Sequence, residues 1–216
     1  MKRWTILVWI LFLSINAFAT AQRPDKIIYQ GQTYSLHSNP MEAYFSKHPD
    51  KKPKTSQPST ALWRGYVATF EFKDEELFLK DIEVKYRDTI ENAYKWRSVL
   101  EEVFPEGENL KIDWLTGLLV IPYGELVNYV HMGYGSTYEN YILLEIDKGD
   151  FKKEKRLSYD EYLAFKEKQF QAFKKTEEYA EIKAKLRKKE NNASEAFIDS
   201  FLKTYIIKYT SKILTD

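Results

Sequence analysis

The carboxyl-terminal segment, from Ser158 to the end, contains neither glycine nor proline, the two residues that most often interrupt a helix. Ser158 and Glu161 have the spacing of an N-terminal capping box. Apolar residues then recur at helical spacing, and Asn192 with Glu195 offers a second cap. The segment therefore predicts two helices, one over about residues 159–189 and one beyond Asn192, which form a helical hairpin.

Alternating apolar and polar residues indicate β-structure in the middle of the chain. Tyr66, Ala68 and Phe70 fall on one face of a strand, and an acidic turn at residues 74–76 follows them. This pattern predicts an antiparallel hairpin. The predicted strands are a hairpin around Gly31, a hairpin over residues 61–86, and strands at about 111–121, 126–131, 138–147 and 151–157.

One helix is predicted to interrupt this sheet. Apolar residues at helical spacing run from Thr89 to Phe104, and Pro105 and Gly107 then end the pattern. Residues 22–157 are therefore predicted to form a mainly β domain with one inserted helix, and residues 158–216 to pack on the same domain. The expected fold class is α+β, with an antiparallel β-sheet and a C-terminal helical hairpin.

The amino terminus has the pattern of a bacterial signal peptide. Lys2 and Arg3 precede an apolar run from Trp4 to Leu13, and an Ala-Thr-Ala motif ends at Ala21. The run of roughly ten residues is well short of the ~20 that cross a bilayer. We therefore expect residues 1–21 to be removed, leaving a soluble periplasmic or secreted protein with no transmembrane segment.

Composition narrows the function of the exported chain. It contains no cysteine, which excludes disulfides, thiolate metal sites, a cysteine nucleophile and the lipid-bearing cysteine of a lipoprotein. Removing Lys2 and Arg3 lowers the number of basic residues from 33 to 31 against 32 acidic residues, a formal charge of −1. A nucleic-acid partner is not expected for a chain with this slightly negative net charge.

Charge is unevenly distributed along the chain. Residues 22–150 hold 15 basic and 21 acidic side chains, whereas residues 151–189 hold 13 basic and 7 acidic ones. Two interpretations stay open for the basic segment. It forms either a solvated helix face with intrahelical ion pairs, or a surface that meets anionic lipid or an acidic partner.

Two short segments carry the candidate site residues. In the first, Arg64 lies between Trp63 and Gly65, just before Tyr66. Arg64 can bind a carboxylate or phosphate beside an aromatic wall formed by Trp63, or it can act as a structural salt-bridge donor at the start of a strand.

The second segment, residues 129–139, combines glycines, hydroxyl groups and a histidine. Its candidate residues are His131, Tyr134 and Ser136, with glycine on both sides of Tyr134. Such glycines allow a positive φ or close approach and can hold an aromatic ring at the lip of a sheet. The alternative is that they only turn one strand into the next.

No segment has the pattern of a specific chemistry, so no cofactor, metal or catalytic residue is assigned. Ser136 lacks the following glycine of a nucleophile elbow, and no histidine has a metal-binding neighbour at helical spacing. One enzymatic alternative is kept open. In it, His131 with Glu125 or Glu139 acts on a carbohydrate or cell-wall substrate.

Several short segments together resemble a group of uncharacterised bacterial proteins that share a domain of unknown function. The resemblance covers about residues 59–149 and brings no activity with it. It implies that the segment around Arg64 and the segment around Tyr134 belong to one domain and lie close together. The segments that carry it are residues 59–66, 104–106, 113–114, 121–125 and 129–139.

These observations favour a non-enzymatic binding or interaction protein, including an inhibitor or immunity type, with an unknown protein or glycan partner. A structural adaptor that uses the apolar stripe over residues 197–213 is a further alternative. The predicted recognition surface consists of Trp63, Arg64, Tyr66, His131, Tyr134 and Ser136.

Overall fold

A curved, nine-stranded sheet organises the chain in a computed structural model that describes residues 20–55, 59–105, 110–189 and 193–215. The fold class is α+β, as predicted. The strands are β1 (Asp25–Tyr29), β2 (Gln32–Leu36), β3 (Tyr66–Lys73), β4 (Glu76–Asp88), β5 (Ala93–Ser98), β6 (Leu110–Lys111), β7 (Gly117–Asn128), β8 (Thr137–Asp147) and β9 (Asp150–Ser158). The α-helices are α1 (Pro40–Lys47), α2 (Leu100–Val103), α3 (Tyr159–Phe173), α4 (Glu177–Lys189), α5 (Glu195–Thr204) and α6 (Ile206–Tyr209).

The strand order is β2-β1-β3-β4-β9-β8-β7, with β5 and β6 also paired to β4. The sheet is mixed, because β1 pairs with β3 in parallel while the other strand pairs are antiparallel. The predicted antiparallel sheet is therefore wrong at this one pair. Because β2 runs antiparallel to β1, it returns the chain to the end of the sheet at which β1 begins, and β3 starts from that end and runs parallel to β1.

The sheet curls until its two outer strands approach each other. Just beyond β2, the His37 N–H donates to the Val120 carbonyl on β7 over 2.8 Å, and Ser38 Oγ accepts from the Val120 N–H over 3.2 Å. On the opposite side of the curl, β4 and β9 share a single paired position, Glu76 with Asp150. The amino-terminal hairpin is thereby brought beside a strand that follows it by about eighty residues.

The helix predicted over residues 89–104 is wrong. Residues 93–98 form β5, which pairs with Glu83–Asp88 of β4, and only Leu100–Val103 is helical. The Asp88 carboxylate accepts from the Ile90 and Glu91 N–H groups and starts the turn into β5. Ile90, which contributed to the apparent helical stripe, is almost fully exposed.

Two strands predicted between residues 111 and 131 are also revised. The chain turns after β6, and the next strand begins at Gly117. The predicted strand at 126–131 is instead the distal part of β7, which continues to Asn128 through register shifts after Tyr123 and Leu126. The Pro122 ring lies within this strand, a position that is tolerated because β7 is at the edge of the sheet.

Two apolar cores lie on opposite faces of β7 and β8. Leu119 and Ile121 point into the core inside the curled sheet, whereas Leu118 and Val120 point toward the carboxyl-terminal helices. Strands buried on both faces read as continuous apolar runs, which explains the Leu-Leu-Val-Ile sequence at 118–121. The second core is completed by Phe165, Phe170, Phe173, Ile198, Leu202 and Ile206.

The carboxyl-terminal segment is helical as predicted, but it contains more helices than two. The capping box formed by Ser158 and Glu161 is present at the start of α3. The predicted helix over 159–189 breaks after Phe173, because Thr176 caps a new helix by accepting from the Tyr179 N–H over 3.2 Å. Ser194 caps α5, and the predicted cap Asn192 lies outside the described residues.

Candidate functional site

A buried ion pair connects β1 to the segment that enters β3. Arg64 Nη2 lies 3.0 Å from Asp25 Oδ1, and both side chains are 0% exposed. The same Asp25 oxygen accepts from the Ala68 N–H over 2.9 Å, and Arg64 Nη2 also donates to the Arg23 carbonyl over 3.1 Å. Of the two roles considered for Arg64, this geometry is that of the structural salt-bridge donor.

Tyr134 extends the ion pair into a network. Its hydroxyl accepts from Arg64 Nη1 over 2.8 Å and donates to Asn39 Oδ1 over 2.7 Å. Its ring stacks on His37, with ring centres 4.7 Å apart and an interplanar angle of 14°. The segments around Arg64 and Tyr134 therefore meet. We call this set of five residues the Arg64 clamp: Asp25, His37, Asn39, Arg64 and Tyr134.

Burial shapes the electrostatics of the Arg64 clamp. It raises the pKa of Asp25 to about 6, although Arg64 and the Ala68 N–H act in the opposite direction. Burial also lowers the pKa of His37 to about 4 and raises the pKa of Tyr134 to about 12. Asp25 Oδ2 and Arg64 Nε are buried with no hydrogen-bond partner in the described residues. The network thus holds a charge pair whose hydrogen bonding is incomplete.

The other predicted residues have separate environments. Tyr66 is buried and donates to Glu42 Oε1 over 2.7 Å. Trp63 is exposed, with the Lys52 ammonium 5.6 Å from the centre of its ring system. Ser136 Oγ accepts from the Val130 N–H over 3.0 Å and closes the loop between β7 and β8. The hydrogen bonds of Tyr66 and Ser136 therefore support local structure.

The proposed acid–base set is not assembled. His131 is exposed and its ring contacts only Tyr129 among the described aromatic residues, edge to face at 4.6 Å. Glu139 Oε2 accepts from the Glu125 backbone N–H over 3.0 Å. Within the described chain, no hydrogen bond or ion pair joins His131 to Glu125 or Glu139.

The distal parts of β7 and β8 project as a two-stranded ribbon. Asn140 is the last β8 residue in this direction to pair with β9, whereas β7 and β8 stay paired out to Asn128 and Thr137. We call residues 125–133 the ribbon tip. Its large apolar side chains are 50–61% exposed: Leu126, Val127, Tyr129 and Met132.

The amino-terminal segment braces the base of the ribbon tip. The Gln22 N–H donates to the Gly133 carbonyl over 2.9 Å, and Ala21 forms a parallel bridge with Gly133. The Gln22 side chain donates to the Thr60 carbonyl over 2.6 Å and accepts from the Trp63 N–H over 3.3 Å. Trp63 is thereby connected to the ribbon tip through a single residue.

Sequence reasoning missed three members of the Arg64 clamp. Asp25 is separated from Arg64 by 39 positions, and Asn39 from Tyr134 by 95. Asp25 is an acidic residue at the start of an apolar strand, and this position is the one signal in the sequence that indicates a buried carboxylate with a basic partner. Neither His37 nor Asn39 belongs to a local sequence pattern. Both contact Tyr134, which lies close to them only because the sheet curls.

No described group of three or more histidine, aspartate and glutamate side chains is arranged to hold a metal ion. In the part of the chain that the structure covers, no helix has the length and apolar character needed to span a bilayer. No protein-family model, curated protein or solved structure matches this chain.

Proposed function

We propose that this chain is an exported, non-enzymatic binding protein that contacts a protein partner through the ribbon tip. The observation that carries the proposal is the exposure of four large apolar side chains on one projecting ribbon. Exposed apolar clusters of this kind are typical of interaction sites, because their burial by a partner is the main source of binding free energy.

The Arg64 clamp supports this proposal by fixing the loop that carries the ribbon tip. Tyr134 lies directly after the tip and is held by hydrogen bonds to Arg64 and Asn39. A loop that is already ordered loses less conformational entropy when it binds. The clamp residues of the predicted recognition surface, Arg64 and Tyr134, therefore act as positioning residues, whereas His131 and Trp63 are accessible to a partner.

An inhibitor or immunity type of binding is the form that we propose. A narrow, ordered ribbon with an apolar end can enter a concave surface of a partner, as a flat patch cannot. Export is supported by the basic, apolar and small-residue pattern of residues 1–21. The resemblance to a bacterial domain of unknown function stays a prediction.

The test is an affinity capture with the full chain, carrying a carboxyl-terminal tag and purified from the envelope of a bacterial host. Intact mass first gives the amino terminus, with Gln22 expected. Wild-type protein and a Tyr129→Ser/Met132→Ser variant are immobilised, and envelope extract of the source cell is passed over both. We expect a partner that the wild type retains and the variant loses.

Phe197→Ser is the matched control, because Phe197 is 55% exposed and lies on α5, away from the ribbon tip. All three proteins are first compared by urea unfolding to establish that they are folded. A partner retained by the wild type and by the Phe197→Ser variant supports the ribbon tip as the contact surface. Retention by the Tyr129→Ser/Met132→Ser variant, or no retained partner, contradicts the proposal.

A further inference from the structure

Helix α5 carries a row of aromatic side chains at the surface. The row follows the i, i+4 spacing of one helix side and ends at the residue that caps the helix: Phe197, Phe201 and Tyr205. Neighbouring ring centres along it lie 6.5 Å and 5.0 Å apart. Phe197 and Tyr205 are 55% and 46% exposed, whereas Ile198 and Leu202 of the same helix are buried in the second core. The row therefore stays accessible when that core is complete.

A second row on α5 consists of small residues. Ala196, Ser200 and Thr204 are also four positions apart, and all three are exposed. Each precedes one aromatic residue of the first row, so the two rows run side by side along the helix. The surface of α5 thus has a ridge of large rings next to a shallow groove lined by small side chains. We call these six residues of the two rows the α5 face.

The α5 face carries no charged residue, because each charged side chain of α5 contacts a neighbouring helix of the same chain. The three pairs have distances of 2.6–2.8 Å and are Glu195 with Arg187, Asp199 with Tyr179, and Lys203 with Glu167. Enrichment in aromatic residues and depletion of charged residues are typical of the centre of a protein–protein interface. The composition of the α5 face therefore indicates a contact with another protein surface.

We propose that two copies of this chain pair through their α5 faces about a two-fold axis near Phe201. In this arrangement the two helices run antiparallel, and the aromatic ridge of each copy fits into the groove of small residues on the other. Phe197 of one copy then lies against Tyr205 of the other, and aromatic pairs of this kind stabilise a contact beyond the area that they bury. A two-fold axis brings identical surfaces together, and the α5 face has no charges that would repel each other.

The size of the α5 face sets the expected strength of the dimer. Helix α5 has 10 residues and is therefore about 15 Å long. A contact centred on one helix of this length buries less than the roughly 800 Å² per partner of a standard interface. We therefore expect a reversible dimer with a Kd of about 10–100 µM.

An anionic membrane fits the α5 face less well than a second copy does. Helices that lie on anionic lipid use lysine and arginine residues beside their apolar surface. The one lysine of α5, Lys203, is already paired with Glu167. The α5 face is also separate from the ribbon tip, and the inference does not rest on the proposed function.

The experiment is sedimentation equilibrium of the full exported chain over about 5–500 µM. We expect the weight-average mass to rise from that of a monomer toward that of a dimer. Ser200→Arg and Ser200→Glu each place like charges on both sides of the two-fold axis and should weaken the dimer about tenfold or more. An equimolar mixture of these two variants should associate at least about tenfold more tightly than either variant alone, because the opposite charges then meet across the axis.

Ala43→Arg is the matched control, because it introduces the same charge at an exposed position on a different helix, α1. It should leave the Kd within about twofold. Urea unfolding first establishes that every variant is folded. Three results overturn the proposal: a wild type that stays monomeric throughout the range, a Ser200→Arg variant that dimerises as the wild type does, or a mixture that associates no more tightly than its components. A monomeric wild type that cosediments with phosphatidylglycerol vesicles, when Phe197→Ser does not, would assign the α5 face to lipid instead.

Discussion

Replacing Arg64 by methionine tests whether the Arg64 clamp stabilises the fold. The Arg64→Met substitution keeps an apolar stem but leaves the Asp25 carboxylate buried, with only the Ala68 N–H as a partner. Tyr134 and the Arg23 carbonyl also each lose a hydrogen bond from Arg64. Removing one partner of a buried ion pair typically costs about 3–5 kcal/mol, and we expect a loss of that size in the free energy of unfolding at pH 8.

A double-substitution cycle separates the ion pair from packing effects. In the Asp25→Asn/Arg64→Met protein no uncompensated charge is buried, and the amide oxygen introduced at position 25 still accepts from the Ala68 N–H. We therefore expect this protein to be more stable than the Arg64→Met variant by about 2 kcal/mol. Urea unfolding followed by tryptophan fluorescence gives the free energy of unfolding for each protein.

Proton uptake by Asp25 adds a second expectation. Its pKa of about 6 is above the ordinary value of 3.8, so the folded chain binds this proton more readily than the unfolded chain does. Asp25 therefore contributes stability as the pH falls through 6, and the loss of Arg64 raises its pKa further. The cost of Arg64→Met should be smaller at pH 5 than at pH 8. A cost below about 1 kcal/mol at pH 8, or the same cost at both pH values, would refute this reasoning.

Three further predictions concern other parts of the fold. His37 is neutral when buried, with a pKa of about 4 against 6.5 normally, so its contribution to stability falls by up to about 3 kcal/mol as the pH drops from 6.5 to 4, opposite in sign to the contribution of Asp25. The free energy of unfolding of His37→Phe minus that of the wild type should therefore rise by that amount over this range, and a difference that does not change with pH would exclude this role. Ser158→Ala removes the capping box of α3 and should cost about 1 kcal/mol, whereas Thr204→Ala, at the exposed last residue of α5, serves as a surface control. Gly124→Ala should cost about 1–2 kcal/mol, because φ is +82° there and the new Cβ would lie 2.6 Å from Glu139 Oε2; a thermal midpoint equal to that of the wild type would contradict the strain.

Local patterns in the sequence were sufficient for much of the secondary structure. The hairpin of β3 and β4 was predicted because its apolar residues alternate, and the start of α3 because Ser158 and Glu161 form a complete cap. The pattern fails over residues 89–104, where Ile90 and Tyr94 fall on the predicted helical stripe but are exposed. There, pairing with β4 and the turn at Asp88 override the helical spacing.

The Arg64 clamp could be predicted only in part. Arg64 and Tyr134 are candidates in the sequence because aromatic residues and glycines surround them. Their burial was not predicted, since it depends on strands that a linear pattern cannot place beside one another. Asp25 and Asn39 were missed for the same reason. The sequence also does not predict that the ribbon tip is exposed, because its apolar residues resemble those of a buried strand. Their exposure follows from the end of β9, which pairs with β8 only as far as Asn140.

The curl that brings β2 to β7 has a consequence for the order in which the chain folds. Its contacts are far apart in sequence: 70 residues separate Arg64 from Tyr134, and 125 separate Tyr29 from its hydrogen-bond partner Glu154. Loop closure over such lengths slows folding, and both cores share β7 and β8. The amino-terminal half therefore completes its packing only after synthesis has passed β8. The export that we propose requires an unfolded chain at the secretion channel, and this late closure of the sheet agrees with that requirement.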